Sequence, residues 1–206
     1  MGYRKGLDSR EAILDAAAKI VLERGFDATS FGDVCDAIGI SRGKLTHHFP
    51  TKEALFEAVT ESRFNRFRRR VVEPLRDASR DPQERIRALF DALRTIYTEP
   101  ERVPGCYIGH TAMDLASRTP AMNEQLNRVL EDWRSAVAGA LVEAGRPADV
   151  AARQAFLTIS AIQGAVLMAR AERDKTAIGE TFNELERMLL STQPGPVPVS
   201  LSQDRT

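Results

Sequence analysis

Residues 38–56, "IGISRGKLTHHFPTKEALF", set two Gly, a Ser, three basic side chains, two adjacent histidines and a Pro-Thr break between apolar ends. A helix opened by Ser41 has room for two turns, Arg42 to His48, before Pro50 stops it. Leu45 and Phe49, four apart, then share one side and anchor it to a core, which turns Arg42, Lys44, Thr46 and His47 outward. Metal ligation, catalysis and nucleic-acid reading all use donors of this kind, so their spacing and the flanking chain decide among them.

Upstream, Ser30 with Asp33 forms a capping pattern for a short helix whose Phe31, Val34, Cys35 and Ile38 point inward, and Gly39 ends it. Two short helices joined by a Gly turn reproduce the helix-turn-helix layout, whose second helix enters the DNA major groove. Arg and Lys suit guanine edges or phosphates, Thr suits a phosphate or a thymine methyl, and Gly43 allows close backbone approach. The helix N-terminus adds a dipole that favours phosphate. A metal site at His47 and His48 fails, because adjacent helical positions point about 100° apart, and no carboxylate or thiol joins them at ligand spacing.

Over the whole chain β-branched alternation is nearly absent and apolar residues recur at helical spacing, which predicts an all-α fold of about nine helices. Asp8 with Glu11 marks the start of the first, Ile13, Ala17, Ile20 and Val21 its buried face, and Gly25 its stop. Thr51 caps a long fourth helix carrying Leu55, Phe56, Val59, Phe67 and Val71, which ends at Pro74 or at Asp81-Pro82. Helices at about 83–97, 106–117, 121–144, 148–173 and 177–190 follow, with "EPERVPG" as a loop before the sixth. The division expected is a helix-turn-helix domain over 1–52, a helical ligand-binding and dimerisation domain over 53–191, and a disordered tail over 192–206.

A chain of 206 residues with 43% hydrophobic content can bury a core without staples. Cys35 and Cys106 are too few for a disulfide framework. Met1 to Arg10 lacks the apolar centre of a secretory signal and no run approaches eighteen apolar residues, so the expected compartment is the cytoplasm, with no membrane partner. The net charge of zero hides an asymmetry: residues 1–80 hold 15 Lys/Arg against 12 Asp/Glu, and residues 81–206 hold 14 against 17. The basic half is the one with the helix-turn-helix pattern.

The stretch "ILDAAAKIVLERGFDATSFGDVCDAIGISRGKLTHHFPTKEALFEAV" resembles the N-terminal domain of the tetracycline-repressor-like (TetR) transcriptional regulators, over about residues 9–60. The Gly-Phe after the first helix, the Thr-Ser opening, the Gly-Ile-Ser turn, the Leu-x-x-His-Phe close and the Lys-Glu-x-Leu-Phe restart come in family order. The resemblance implies a homodimeric repressor on a palindromic operator, with Thr29, Ser30, Ser41, Arg42, Gly43, Lys44, Thr46, His47, His48 and Lys52 as DNA-contact candidates. One departure stands out: the family usually has a Tyr, commonly on the DNA backbone, where this chain has the shorter Thr46.

The resemblance also implies an inducer pocket in the second part of the chain. Phe90, Tyr97, Tyr107, Met113, Trp133 and Phe156 are candidate apolar walls, and His110 and Gln163 candidate polar groups. "PGCYIGHTAMDLA" resembles the Gly-Cys opening of the sixth helix in one branch of the family, which includes regulators answering electrophiles or small unsaturated acids. Cys106 at a helix start feels a dipole that favours thiolate, so it is a candidate for lining the pocket or reacting with an electrophile. In the penultimate helix Ala161, Gly164 and Ala165 lie among Phe156 and Met168, and both sides look apolar. That helix and the last, with Phe182, Leu185 and Leu189, are candidates for a two-fold interface.

Cys106 and His110, four apart, would start a thiol-enzyme reading, but no orienting Asn or Asp, oxyanion loop or phosphate-cradling Gly-rich motif is evident beside them. No catalytic residue, metal or cofactor is expected. A helical adaptor that binds no DNA is the other alternative.

Overall fold

The computed structural model describes residues 2–97, 105–115 and 119–191, with side chains from residue 10 onward and excepting residue 115. Its helices are α1 (Gly2–Arg24), α2 (Phe31–Ile38), α3 (Arg42–His48), α4 (Lys52–Phe67), α5 (Pro82–Tyr97), α6 (Tyr107–His110), α7 (Pro120–Glu143), α8 (Ala148–Glu172) and α9 (Thr176–Leu190). Two of them continue as wide π-turns: α4 through Arg68–Val72 into Glu73–Leu75, and α6 through Thr111–Leu115. Among the described residues the count of nine agrees with the pattern in the sequence, and they contain no strand. Most of the "EPERVPG" loop and the tail over 192–206 lie outside the described residues.

Two boundaries differ from expectation. α1 begins at Gly2 rather than Asp8, so the Asp8–Glu11 pattern lies inside a helix. Pro74 does not end α4, because the Glu73 N–H reaches back five residues to the Arg68 carbonyl. The widened turn comes just ahead of a residue that has no N–H and whose ring crowds the preceding turn, and the helix then runs on to Leu75.

α1 packs against α2 and α4, and α2 against α3. Ile13, Ala17, Val21, Phe26, Val34, Leu45, Phe49, Leu55 and Phe56 are buried there, with the Phe26 and Phe56 rings edge to face at 5.1 Å. α7, α8 and α9 pack in sequence, and α5 lies against α7 and α9. α4 serves both groups, touching α1 at one end while its wide turn lies against α7. Arg68 of that turn donates from Nε to Asp132 Oδ2 on α7 at 2.7 Å.

α8 is long and apolar enough to pass a length-and-composition test for a membrane span, with mean hydropathy 1.3 over its best window. Ala151, Ala155, Ile159, Ile162, Val166 and Ala169 are nonetheless buried against the bundle. Its Phe156, Leu157, Leu167 and Met168 face outward.

The far end of α4 is closed by Arg85 of α5, which is 1% exposed. Its Nη1 donates to the Leu75 carbonyl at 3.0 Å and its Nη2 pairs with Glu143 at the end of α7. One guanidinium thus satisfies a helix-end carbonyl and ties three helices. Replacing Arg85 by Leu should cost about 3 kcal/mol, since it strands that carbonyl in the interior. Glu143→Gln, at a half-exposed partner, should cost under about 1 kcal/mol. Urea denaturation of the two variants checks the difference.

Candidate nucleic-acid interface and ligand cavity

Local chemistry builds the turn between α2 and α3. Ser30 Oγ accepts from the Asp33 N–H at 3.2 Å and the Ser30 N–H donates to Asp33 Oδ2 at 2.7 Å. The Ser30 hydroxyl, which donates to Asp33 Oδ2 at 2.6 Å, and then the Ser30 N–H hold the Asp33 carboxyl below the usual carboxylate range. Gly39 ends α2 at φ 66°, ψ 40°, a left-handed conformation where a side chain would be strained. Ser41 then caps α3, its Oγ accepting from the Lys44 N–H at 3.3 Å.

Leu45 and Phe49 are buried, whereas Ser41, Arg42, Gly43, Lys44, Thr46 and His47 are exposed and His48 half-buried. The outward face is the one expected. The Thr46 hydroxyl, however, donates into its own helix, 3.1 Å from the Arg42 carbonyl and 3.1 Å from that of Gly43. Its methyl and oxygen lone pairs are what it offers outward. Gly43 has no heavy atom within 4 Å of the position a Cβ would take, so the fold itself does not require glycine there.

Two other candidates are committed to the fold. Thr29 is buried and its hydroxyl donates to the Gly25 carbonyl at 2.7 Å. Lys52 is half-buried, with Nζ 3.3 Å from the Asp27 carbonyl and 4.3 Å above the Phe26 ring. It joins the start of α4 to the α1–α2 turn. Arg10, which the sequence pattern did not single out, lies 5.2 Å over the Phe49 ring and braces α3 from α1.

A cavity of about 680 Å³ opens where α1, α4, the end of α5 and the start of α6 meet. Of the residues expected around a ligand, it gathers Tyr97, Cys106 and Tyr107. Cys106 is the N-cap of α6 and 8% exposed. Its Sγ accepts from the Tyr97 hydroxyl at 2.9 Å and from Gln163 Nε2 at 3.4 Å. Gln163 therefore backs the cavity wall without lining it, and it crosses Gly109 so closely that a Cβ there would sit 2.8 Å from Gln163 Oε1.

The other ligand candidates lie elsewhere. Phe90 and Trp133 are fully buried core, Phe90 against Phe182 at 6.2 Å and Trp133 edge to face with Phe67 at 4.8 Å. Met113 is 74% exposed and Phe156 61% exposed, so both face away from the interior. Large apolar residues at helical spacing are core or surface as often as cavity, and spacing alone does not separate these.

His110 is engaged in a junction rather than the cavity. Its Nε2 lies 3.5 Å from Asp114 Oδ2, and that oxygen accepts the Phe26 backbone N–H, 2.9 Å away, from the α1–α2 turn. Asp114, a residue of the C-terminal part, thus holds a turn of the helix-turn-helix part. The Tyr107 hydroxyl, 3.4 Å from that of Thr60 on α4, makes a second junction, and burial raises its pKa far above the phenol range.

The expected interface divides. On α8 Phe156, Leu157, Leu167 and Met168 are exposed, Gly164 lies exposed and Ala161 half-buried among them, while Ala165 is turned inward. On α9 Phe182, Leu185 and Leu189 are buried within the chain, against Phe90 and Tyr97 in the case of Phe182. The outer face of α9 carries Glu180, Asn183, Glu184 and Arg187. It has a single apolar stripe, and the bundle uses it.

These features define a helix-turn-helix DNA-binding protein with a helical second domain. Residues 13–59 match the family described as "Bacterial regulatory proteins, tetR family", and residues 82–184 match "Transcriptional regulator LmrA/YxaF-like, C-terminal domain". The chain belongs to the TetR family of DNA-binding transcriptional regulators. It is 27% identical over 173 residues to the regulator YxaF of Bacillus subtilis, covering 83% of this chain and 90% of that one. It is 26% identical over 191 residues to the repressor DhaR of a Mycobacterium species, covering 89% and 94%. Among solved structures, a TetR regulator from Chloroflexus aurantiacus superposes with TM-score 0.77 at 28% identity, over 90% of this chain and 96% of that one.

Gly43→Ala should raise stability by up to about 1 kcal/mol in thermal melts, since a helical glycine costs that much relative to alanine. The same variant should weaken operator binding if the backbone approaches DNA at that point. For His110, burial lowers the pKa, Asp114 opposes this and Arg170 adds to it. A lowered folded value means that stability is full above the unfolded pKa of about 6.5 and is lost as pH falls toward the folded one. Wild type should therefore lose more stability than His110→Gln between about pH 7.5 and 5.5, measured by melts across that range.

Proposed function

We propose that the protein is a homodimeric repressor that binds a palindromic operator through α3 and leaves it when a small molecule enters the cavity. The carrying observation is the helix α3 itself, seven residues anchored by the buried Leu45 and by Phe49 just after it, with an outer face of Arg42, Lys44, Thr46 and His47. Arg42 and Lys44 are assigned to base edges or phosphates, Ser41 and the α3 N-terminus to the backbone, and Gly43 to close approach. His47 and His48 supply further backbone contacts. Ser30 supports the turn by capping α2, and Thr29 and Lys52 support the domain that presents α3.

The dimer reading rests on α8. An exposed row of Phe156, Leu157, Leu167 and Met168 around Gly164 and Ala161 is what a two-fold helix pairing buries, and it is a larger apolar patch than a solvated helix normally leaves. The ligand reading rests on cavity walls drawn from both parts of the chain, α1 from the DNA-binding part and α5 and α6 from the other. A molecule seated there touches the elements whose relative placement aims α3.

A covalent signal is the second reading, favoured by the position of Cys106 in the cavity wall with Tyr97 donating to its sulfur. Addition of the thiolate to the β-carbon of an enal forms a C–S bond, and the α-carbon takes up a proton. Comparing wild type and Cys106→Ser for operator release by quinones, enals, hypochlorite and small unsaturated acids tests it. Equal responses leave reversible binding.

Selection of bound fragments from genomic DNA should yield two-fold sites with half-sites about 34–36 Å apart or somewhat more. Lys44→Ala should lose about 1–3 kcal/mol of specific affinity and relax one position if it reads a base edge. Phe156→Glu with Leu167→Glu should leave a folded monomer by circular dichroism and light scattering, with operator affinity lost. A dimer persisting in that variant would put the interface elsewhere.

A further inference from the structure

The cavity has a charge pattern that its apolar floor does not explain. Phe64, Phe67, Tyr97 and Ile108 form the floor, all buried. Above it α1 contributes Asp15, Lys19 and Glu23, one turn apart each, and α4 contributes Arg63, Arg66 and Arg70 from one of its faces. Asp15 and Arg63 close one end as an ion pair at 2.5 Å. Beyond it cations outnumber acids: Lys19 of α1 and Arg66 and Arg70 of α4 are exposed at the rim, as is Glu23, and among the described residues none of the three cations has an ion-pair partner. Among the described residues, Glu23 is the only acid on the lining besides the paired Asp15.

We propose that this cavity takes an organic anion with an apolar body, its carboxylate or phosphate head between Lys19 of α1 and Arg66 and Arg70 of α4. The proposal rests on the ligand reading above and names the class of that ligand. A volume of about 680 Å³ falls in the range of roughly 300–1,000 Å³ that small-molecule sites occupy. Charge-assisted hydrogen bonds to guanidinium groups give the head its orientation, and the aromatic floor buries the body. The consequence is mechanical. Without an anion, Lys19 repels Arg66 and Arg70 across the opening, with Glu23 offsetting part of that charge. With one, both walls are drawn to it, so the ligand sets the separation of α1 from α4 and with it the placement of the helix-turn-helix. The Asp15–Arg63 pair is the hinge end of that opening.

The test is titration calorimetry of the full chain with octanoate, octyl phosphate, octanol and octylammonium at matched ionic strength. The two anions should bind, octanol at least about tenfold more weakly, and octylammonium not at all. Whichever of octanoate and octyl phosphate binds more tightly identifies the head group. Arg66→Gln with Arg70→Gln should bring octanoate to the level of octanol. Arg69→Gln, in the same basic run but lining a separate small recess with Arg10, should leave it unchanged, and circular dichroism shows that each variant is folded. If octanol matches octanoate, or the double variant binds octanoate as wild type does, the anion proposal falls while the cavity stands as a ligand site. If none of the four binds, the proposal falls as well. The ligand reading itself is then decided by whether Ile108→Trp, which fills the cavity, abolishes operator release by an active compound from the panel above.

Discussion

The structure depends on one helix being shared. α4 starts at a Thr51 cap, whose Oγ1 accepts from the Ala54 N–H at 3.1 Å beside the helix-turn-helix. It ends at Leu75, whose carbonyl is held by the buried Arg85 guanidinium in the heart of the second domain. Its early residues Leu55, Phe56 and Val59 belong to the core of the DNA-binding part, and its later ones, Phe67, Val71 and Val72, to that of the bundle. A rigid rod in two cores cannot move in one without disturbing the other. The π-turn before Pro74 is what lets this rod continue where a proline would otherwise stop it.

α6 supplies the second connection, and it passes through both the cavity and the DNA-binding part. Its first residues carry Cys106 and Tyr107 to the cavity wall, and its wide turn places Asp114 against the Phe26 N–H. Any shift of α6 along its axis therefore acts on the turn that leads into α2. Gly109 permits the close crossing of Gln163 that positions this helix against α8. One short helix spans the distance from the cavity wall to that turn.

Surface chemistry follows from which faces these packings leave uncovered. α9 has one apolar stripe and buries it, so its outer face is polar. α8 has two and can bury only one inside a single chain, which leaves Phe156, Leu157, Leu167 and Met168 outside. The same arithmetic accounts for α3, whose two anchors use up its apolar content and leave its donors outward.

What the sequence by itself determined was local. Helix spacing, the Ser30 and Ser41 caps, the left-handed Gly39 and the Leu45–Phe49 anchor pair act within a few residues, and each was legible as a pattern before any packing was known. The tertiary structure alone decided which apolar residues face a cavity, the core or solvent: Tyr97, Cys106 and Tyr107 the first, Phe90, Trp133 and Phe182 the second, Met113 and Phe156 the third. Periodicity marks that a residue lies on an apolar stripe, while the partner across that stripe comes from helices far away in the chain. The same holds for the buried Arg85, for Lys52 resting on Phe26, and for Lys19, Arg66 and Arg70 lining one cavity. Their roles depend on distances between α1, α4 and α5 that no sequence spacing encodes.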